Sequence, residues 1–223
     1  MFDLFTELSI LEESDEEKYE VKRISKRKES LSEILQKGFS LKDTLAVPIH
    51  GNPVEFVVEH IRNIDDETDK IYFVAKNIVV RNKMDLDEIN GILDGIESAM
   101  PREFVGQLAD FEHTTSNGFE MTRRVNLLSL GNFQDTEGYC IGKDDVVFDG
   151  FRTEAERAKN YGGESRTYWT CTPWKGERSP GISGSANFTI VNSYGTLNYG
   201  YYASYVGGVV PGFSICIPHS TGQ

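Results

Sequence analysis

The chain has 223 residues, a formal net charge of −12 and a hydrophobic content of 39%. This length allows one large domain or a domain with an appendage. The acidic balance repels phosphate backbones, which argues against nucleic acid as a partner, and no apolar run approaches the length of a membrane span, which argues against membrane insertion.

The amino terminus, MFDLFTELSILEESDEE, has neither a basic start nor a cleavage-like site, so the reading is a soluble protein without a classical secretion signal. Residues 1–40 read as an arm distinct from the remainder. Phe2, Leu4, Phe5, Leu8, Ile10 and Leu11 form a short amphipathic helix pattern. An acidic block (Glu12, Glu13, Asp15, Glu16, Glu17, Glu20) and a basic block (Lys22, Arg23, Lys26, Arg27, Lys28) follow, then a capped helix from Ser30 that stops near Gly38. Charge blocks alone describe a solvated tail. The apolar cluster Phe2, Leu4, Phe5 and Leu8 points instead to partner docking, because a free tail has little use for it.

Residues 41–223 read as one folded domain. Val54 to His60 and Lys70 to Val80 are β-branched, apolar runs separated by the turn signal Asp65-Asp66-Glu67. Asp85 to Met100 predicts a helix, with Leu86, Ile89, Ile92, Leu93 and Ile96 at helical spacing, an acidic first turn and Pro101 as its stop. Gly91 and Gly95 inside it suggest close packing. A short helix is expected within Pro101 to Asp110, a strand at Arg124 to Leu130, an irregular Gly- and Asp-rich region to Asp149, and a helical turn at Thr153 to Lys159.

The closing stretch from Tyr168 to Ile217 holds both tryptophans and six of the ten tyrosines, five of them within the twelve residues from Tyr194 to Tyr205, interleaved with Asn, Ser and Gly. Strands are expected over Ala186 to Ser193, Thr196 to Tyr202 and Gly208 to Ile217, with a turn at Tyr194-Gly195. Gly162-Gly163 and Gly207-Gly208 lack the Lys-Ser/Thr of a phosphate loop and read as turns. Tyrosines suit a sheet for ordinary reasons, yet rigid amphipathic rings among small polar residues are also the chemistry of a contact surface. Trp169 is expected in the core and Trp174, in a Pro-Trp-Lys-Gly turn, on the surface.

Several of these residues, taken in order, resemble a known pattern. Val125-Asn126-Leu127-Leu128-Ser129 resembles a V-F-L-L-S strand, Glu156-Arg157-Ala158-Lys159 an E-R-x-K helix, and Tyr168-Trp169-Thr170-Cys171-Thr172-Pro173 a W-W-L-R-S-P element. Phe188 to Gly195 with Val209-Val210-Pro211-Gly212-Phe213 resembles a hairpin followed by G-V-V-P-A-F. The ordered set resembles an uncharacterised domain family of Gram-positive bacteria, their phages and prophages, itself similar to C-type-lectin-like folds. Thr170-Cys171-Thr172 departs from the usual Leu-Arg-Ser, so the family's Arg has no counterpart here. The resemblance covers roughly residues 44–217. It implies an α+β, C-type-lectin-like domain with short antiparallel sheets, two helices and long irregular loops. Val191, Leu197 and Val210 would face its core.

Enzymatic chemistry finds little support. His50, His60, His113 and His219 are scattered, and pairing Cys171 with His113 competes with a simpler reading as an inert thiol. Cys140, Cys171 and Cys216 fit neither a disulfide framework nor a zinc site, so buried free thiols are expected. Asp144, Asp145 and Asp149, with Glu137, suggest calcium, but solvated surface carboxylates suit them better. No metal and no cofactor are expected. The function read from residues and resemblance is non-enzymatic: a phage or prophage virion-associated protein that binds a host-surface protein or glycan, or another virion protein. The contact set is Trp174, Tyr194, Asn198, Tyr199, Tyr201, Tyr202 and Tyr205, with the arm anchoring a larger assembly, homo-oligomeric or not. Its place would be the virion, or the host cytoplasm before assembly. A capsid or tail decoration protein and a bacterial surface module are the alternatives.

Overall fold

The structure, a computed structural model, describes residues 10–11, 34–35, 38–174 and 187–218. Strands dominate and helices are few, an α+β or mainly-β arrangement. One sheet runs in the order β1 (Ile10–Leu11), β2 (Thr44–Ile49), β3 (Asn52–Asp65), β4 (Thr68–Ala75), β16 (Pro211–Pro218) and β6 (Leu108–Ala109), with β9 (Val125–Leu127) also paired to β16. All of its pairings are antiparallel. The β2–β3 hairpin turns through His50 and Gly51, both at positive φ (50° and 78°), a pairing that matches the twist of the flanking strands. Asp66 and Glu67 form the β3–β4 turn, where Asp65 Oδ1 accepts from the Glu67 amide, so the acidic turn signal falls where the sequence places it.

The second sheet runs β14 (Leu197–Tyr202), β13 (Asn187–Val191), β12 (Tyr168–Pro173), β15 (Val206–Val209), β5 (Val80–Lys83). Its one parallel contact joins β12 to β15. The two sheets are linked twice by the same ribbon. β4 pairs β16 in the first sheet, β5 pairs β15 in the second, and the chain turns between them at residues 76–79 and at Val210. The expected single strand from Gly208 to Ile217 is therefore two strands in different sheets. Pro211, with a fixed φ and no amide hydrogen, stands at the break. Gly207 and Gly208 are strand residues here, not a turn. A Cβ on Gly207 would come within 2.6 Å of Trp169 Nε1, and one on Gly208 within 2.6 Å of Ile78 Cδ1, so only glycine lets the backbone lie this close to both side chains.

Helix α1 (Leu86–Ala99) starts at Asp85, whose side chain accepts from the amides of Asp87 and Glu88, and it buries Ile89, Leu93 and Ile96. The other helices, α2 (Arg102–Val105) and α3 (Glu154–Arg157), are single turns, so the described residues hold one long helix rather than the expected pair. Gly91 and Gly95 do not serve close packing, since a Cβ on either meets nothing within 4 Å. Phe213 lies at the centre of the core, with ring centroids 4.8 Å from Phe56, 5.1 Å from Phe73 and 5.2 Å from Phe104 of α2. Ile34 is buried in this same core, and Phe39 meets Phe73 edge-on. Val191 and Val210 are buried as expected, and Leu197 is half-buried.

Two hairpins complete the fold. β7 (Phe111–Thr114) pairs β8 (Glu120–Arg123), and β10 (Lys159–Tyr161) pairs β11 (Glu164–Arg166) through the left-handed Gly162 and Gly163. Residues 128–151 are irregular but firmly held. Asn132 donates to the carbonyls of Asp144 and Val146, and its own carbonyl accepts from the Phe148 amide. Among the described residues, no helix is long and apolar enough to cross a membrane.

Candidate functional site

The aromatic stretch folds as the outer part of the second sheet. Asn192 Oδ1 accepts from the amides of Tyr194 and Thr196 and closes the β13–β14 turn. Gly195 within it has φ 84° and lies flat on α3, where an added Cβ would come 1.7 Å from the Glu154 carbonyl oxygen. Further along, Ile190 pairs with Asn198 and Phe188 with Tyr201, so Tyr199 and Gly200 together oppose Thr189 alone. This bulge, with Gly200 at φ 74°, breaks the alternation that would otherwise turn every second tyrosine inward. Tyr194, Tyr199, Tyr201, Tyr202 and Tyr205 are all exposed, from 37% to 79%, as is Trp174. Tyr72, Tyr139, Tyr168 and Trp169 are buried.

The expected contact set does not form one patch. Tyr201, Tyr202 and Tyr205 cluster at the β14–β15 corner. Tyr205 lies 5.0 Å from Tyr201 and 6.0 Å from Tyr202 between ring centroids, and Tyr201 sits edge-on against buried Trp169 at 5.9 Å. Trp169 is itself fixed by its Nε1–H donating to the Asn82 carbonyl at 2.9 Å. Tyr194 stands apart, at the turn on α3. Asn198 is exposed and shares a sheet face with its partner Ile190. The exposed Val206 follows Tyr205 and extends the corner patch.

Trp174 and Tyr199 belong to a third place, a cleft of about 300 Å³ between the 130–139 loop and the β12–β13 edge. Gln134 Nε2 donates to the Tyr199 hydroxyl at 2.7 Å, and the Tyr139 hydroxyl donates to the Pro173 carbonyl at 2.9 Å. Asp135 and Glu137 lie on the rim, Glu137 at φ 51°. Thr189 contributes to the lining. It is almost wholly buried, and its Oγ1 has no hydrogen-bond partner among the described residues. The sequence reading missed Gln134, Thr136, Tyr139 and Thr189, because residues brought together from such separations leave no local spacing signal.

Two of the long loop's acidic residues are not solvated. The side chains of Asp144 and Asp145 are both buried, and both accept from amides of β7. Asp144 accepts from Lys70 Nζ and the Tyr72 hydroxyl, each at 2.7 Å, and from the Glu112 amide. Asp145 pairs with His113 Nδ1 at 2.7 Å and accepts from the amides of Thr114 and Gly142. Burial pushes the Asp145 carboxyl upward, but the His113 hydrogen bond and charge, with the further donors, outweigh it and hold it below the ordinary range. His113 is a buried residue of β7, and His60 lies inside β3 beside Asp149 at 3.2 Å. Asp149 and Glu137 are elsewhere on the surface. Among the described residues, no three His, Cys, Asp or Glu side chains converge as a metal site. Cys140 and Cys171 are buried, with burial raising both thiols, whereas Cys216 is exposed, contrary to expectation.

A second buried network surrounds Glu59. A register shift between Val58 and His60 makes Glu59 the extra residue in β3 and turns it inward. Lys42 Nζ contacts Glu59 Oε2 and the Gly150 carbonyl, both at 2.6 Å, while Lys159 Nζ lies 3.8 Å from Glu59 Oε1. Burial lowers the Lys159 ammonium from 10.5 to about 8, despite the attraction of Glu59, and burial likewise raises Glu59. With Glu59 and Lys159 both closed from solvent, the network serves to fasten β3, the 148–151 turn and β10 together. Phe2, Leu4, Phe5 and Leu8 of the arm lie outside the described residues. Comparison with family models, curated proteins and solved structures finds no match.

Proposed function

We propose that the chain is a non-catalytic recognition module that binds a host-surface ligand or protein partner through its carboxyl-terminal aromatic face. In the setting implied by the family resemblance, it is a virion-associated protein of a phage or prophage, built on a C-type-lectin-like scaffold. The arm, through Phe2, Leu4, Phe5 and Leu8, anchors it to a larger assembly. One observation carries the reading. Every tyrosine from Tyr194 to Tyr205 is exposed, while Trp169 and Tyr168 in the neighbouring strand are buried. A sheet that used its aromatic residues only for packing would bury them, and clustered exposed rings mark interaction surfaces.

The decoration-protein alternative draws on a different feature. β14 is the last strand of its sheet, and among the described residues nothing pairs with its outer edge, so a neighbouring subunit's strand has hydrogen-bonding groups to meet.

The experiment is immunogold electron microscopy of particles released by induction of a strain that carries the gene. Label on the particles is the expected result. Label confined to the particle-free soluble fraction would overturn the virion reading. Regular label over the whole capsid or tail tube, rather than at the adsorption end, would favour decoration.

A further inference from the structure

We infer that the cleft beside Trp174 and Tyr199 is a binding subsite for an uncharged sugar ring. The inference rests on the recognition reading above and adds the ligand's chemistry. The lining combines aromatic surface (Tyr139, Trp174, Tyr199) with Gln134, Asp135 and Glu137, and among the described residues it contains neither Lys nor Arg.

As a set, these groups mostly accept hydrogen bonds. Asp135 and Glu137 offer only acceptor oxygens when ionised. Gln134 has committed an N–H to the Tyr199 hydroxyl, which leaves its carbonyl oxygen to accept and the Tyr199 O–H to donate. Such a site needs a ligand that supplies several donors and brings no negative charge, since Asp135 and Glu137 would repel an anion. A pyranose ring fits this requirement. Its hydroxyls donate to the carboxylates and the amide oxygen, and its apolar C–H face stacks on an exposed indole such as Trp174. The volume lies at the lower limit of small-molecule sites, which suits one ring of a longer glycan.

The Tyr201, Tyr202 and Tyr205 corner is a separate contact area, which makes the inference separable from the general reading. The full chain is probed on an array of neutral, amino and acidic glycans, with choline and tetramethylammonium as cationic competitors. The expected hits are neutral glycans, weakened about tenfold or more by Trp174→Ala and by Tyr199→Phe or Tyr199→Ala, unchanged by Tyr161→Ala at an exposed ring outside the aromatic face, and not displaced by the cations. Absence of neutral hits, hits confined to acidic glycans, displacement by choline, or hits insensitive to Trp174→Ala would each overturn the subsite. If particle or cell-surface binding persists in Trp174→Ala but is lost when the tyrosine corner is changed, the subsite fails and the recognition reading stands.

Discussion

Glu59 shows what a single buried charge does in this molecule. It is held between Lys42, half of whose side chain reaches solvent, and Lys159, which reaches none. Glu59→Gln leaves the buried ammonium with a neutral neighbour, so stability should fall by about 3 kcal/mol in equilibrium urea unfolding. The pH dependence follows from Lys159. Its folded value of about 8 lies below its ordinary 10.5. Between these values the unfolded chain binds the extra proton, so this group alone makes the protein more stable as pH rises from about 8 towards 10.5. Urea midpoints across that window should rise less in Lys159→Met than in the parent. An identical slope in both would mean that Lys159 is not the buried ammonium described here. The position of Glu59 could not be read from the sequence. Alternation along Val54 to His60 gives no sign of the one-residue bulge that turns a carboxylate from the sheet surface into the interior.

At the scale of elements, glycines separate two kinds of demand. Gly91 lies on the exposed face of α1, where a Cβ meets nothing, so Gly91→Ala should raise stability by about 0.5–1 kcal/mol through helix propensity alone. Gly195 is the opposite case, with a left-handed φ and the Glu154 backbone 1.7 Å from where a Cβ would stand. Gly195→Ala should cost about 2 kcal/mol or more and detach the β13–β14 turn from α3. Denaturation of the two variants side by side checks both signs. The sequence made α1, with its acidic first turn and Pro101 stop, and the β3–β4 turn legible, because helical period, end signals and turn chemistry are local. It did not separate β15 from β16, since an apolar run across Val209, Val210 and Pro211 reads the same whether it stays in one sheet or passes to another. Nor did it show that Gly207 and Gly208 are needed under Trp169 and Ile78, because the demand comes from residues far off in the chain.

For the molecule as a whole, the candidate site was legible in composition but not in arrangement. That the tyrosines of residues 194–205 face outward was expected from side-chain character only together with the family resemblance, whereas Trp169 inside and Trp174 outside were expected from their local sequence. Their division into a corner cluster, a cleft and a lone ring at α3 depends on the Gly200 bulge and on Gln134 meeting Tyr199, neither of which has a sequence signature. The two sheets supply a rigid support through Trp169 and Phe213, and the aromatic side chains at the rim are surplus to the core. The most direct measurement is therefore made on the triple variant Tyr201→Ala, Tyr202→Ala, Tyr205→Ala, whose binding to the parent's target surface is compared in the same sample with its thermal transition. Exposed positions contribute little to stability, so the transition should stay within about 5 °C of the parent while binding is lost. Binding retained by the folded variant, or a variant that no longer folds, would contradict the account.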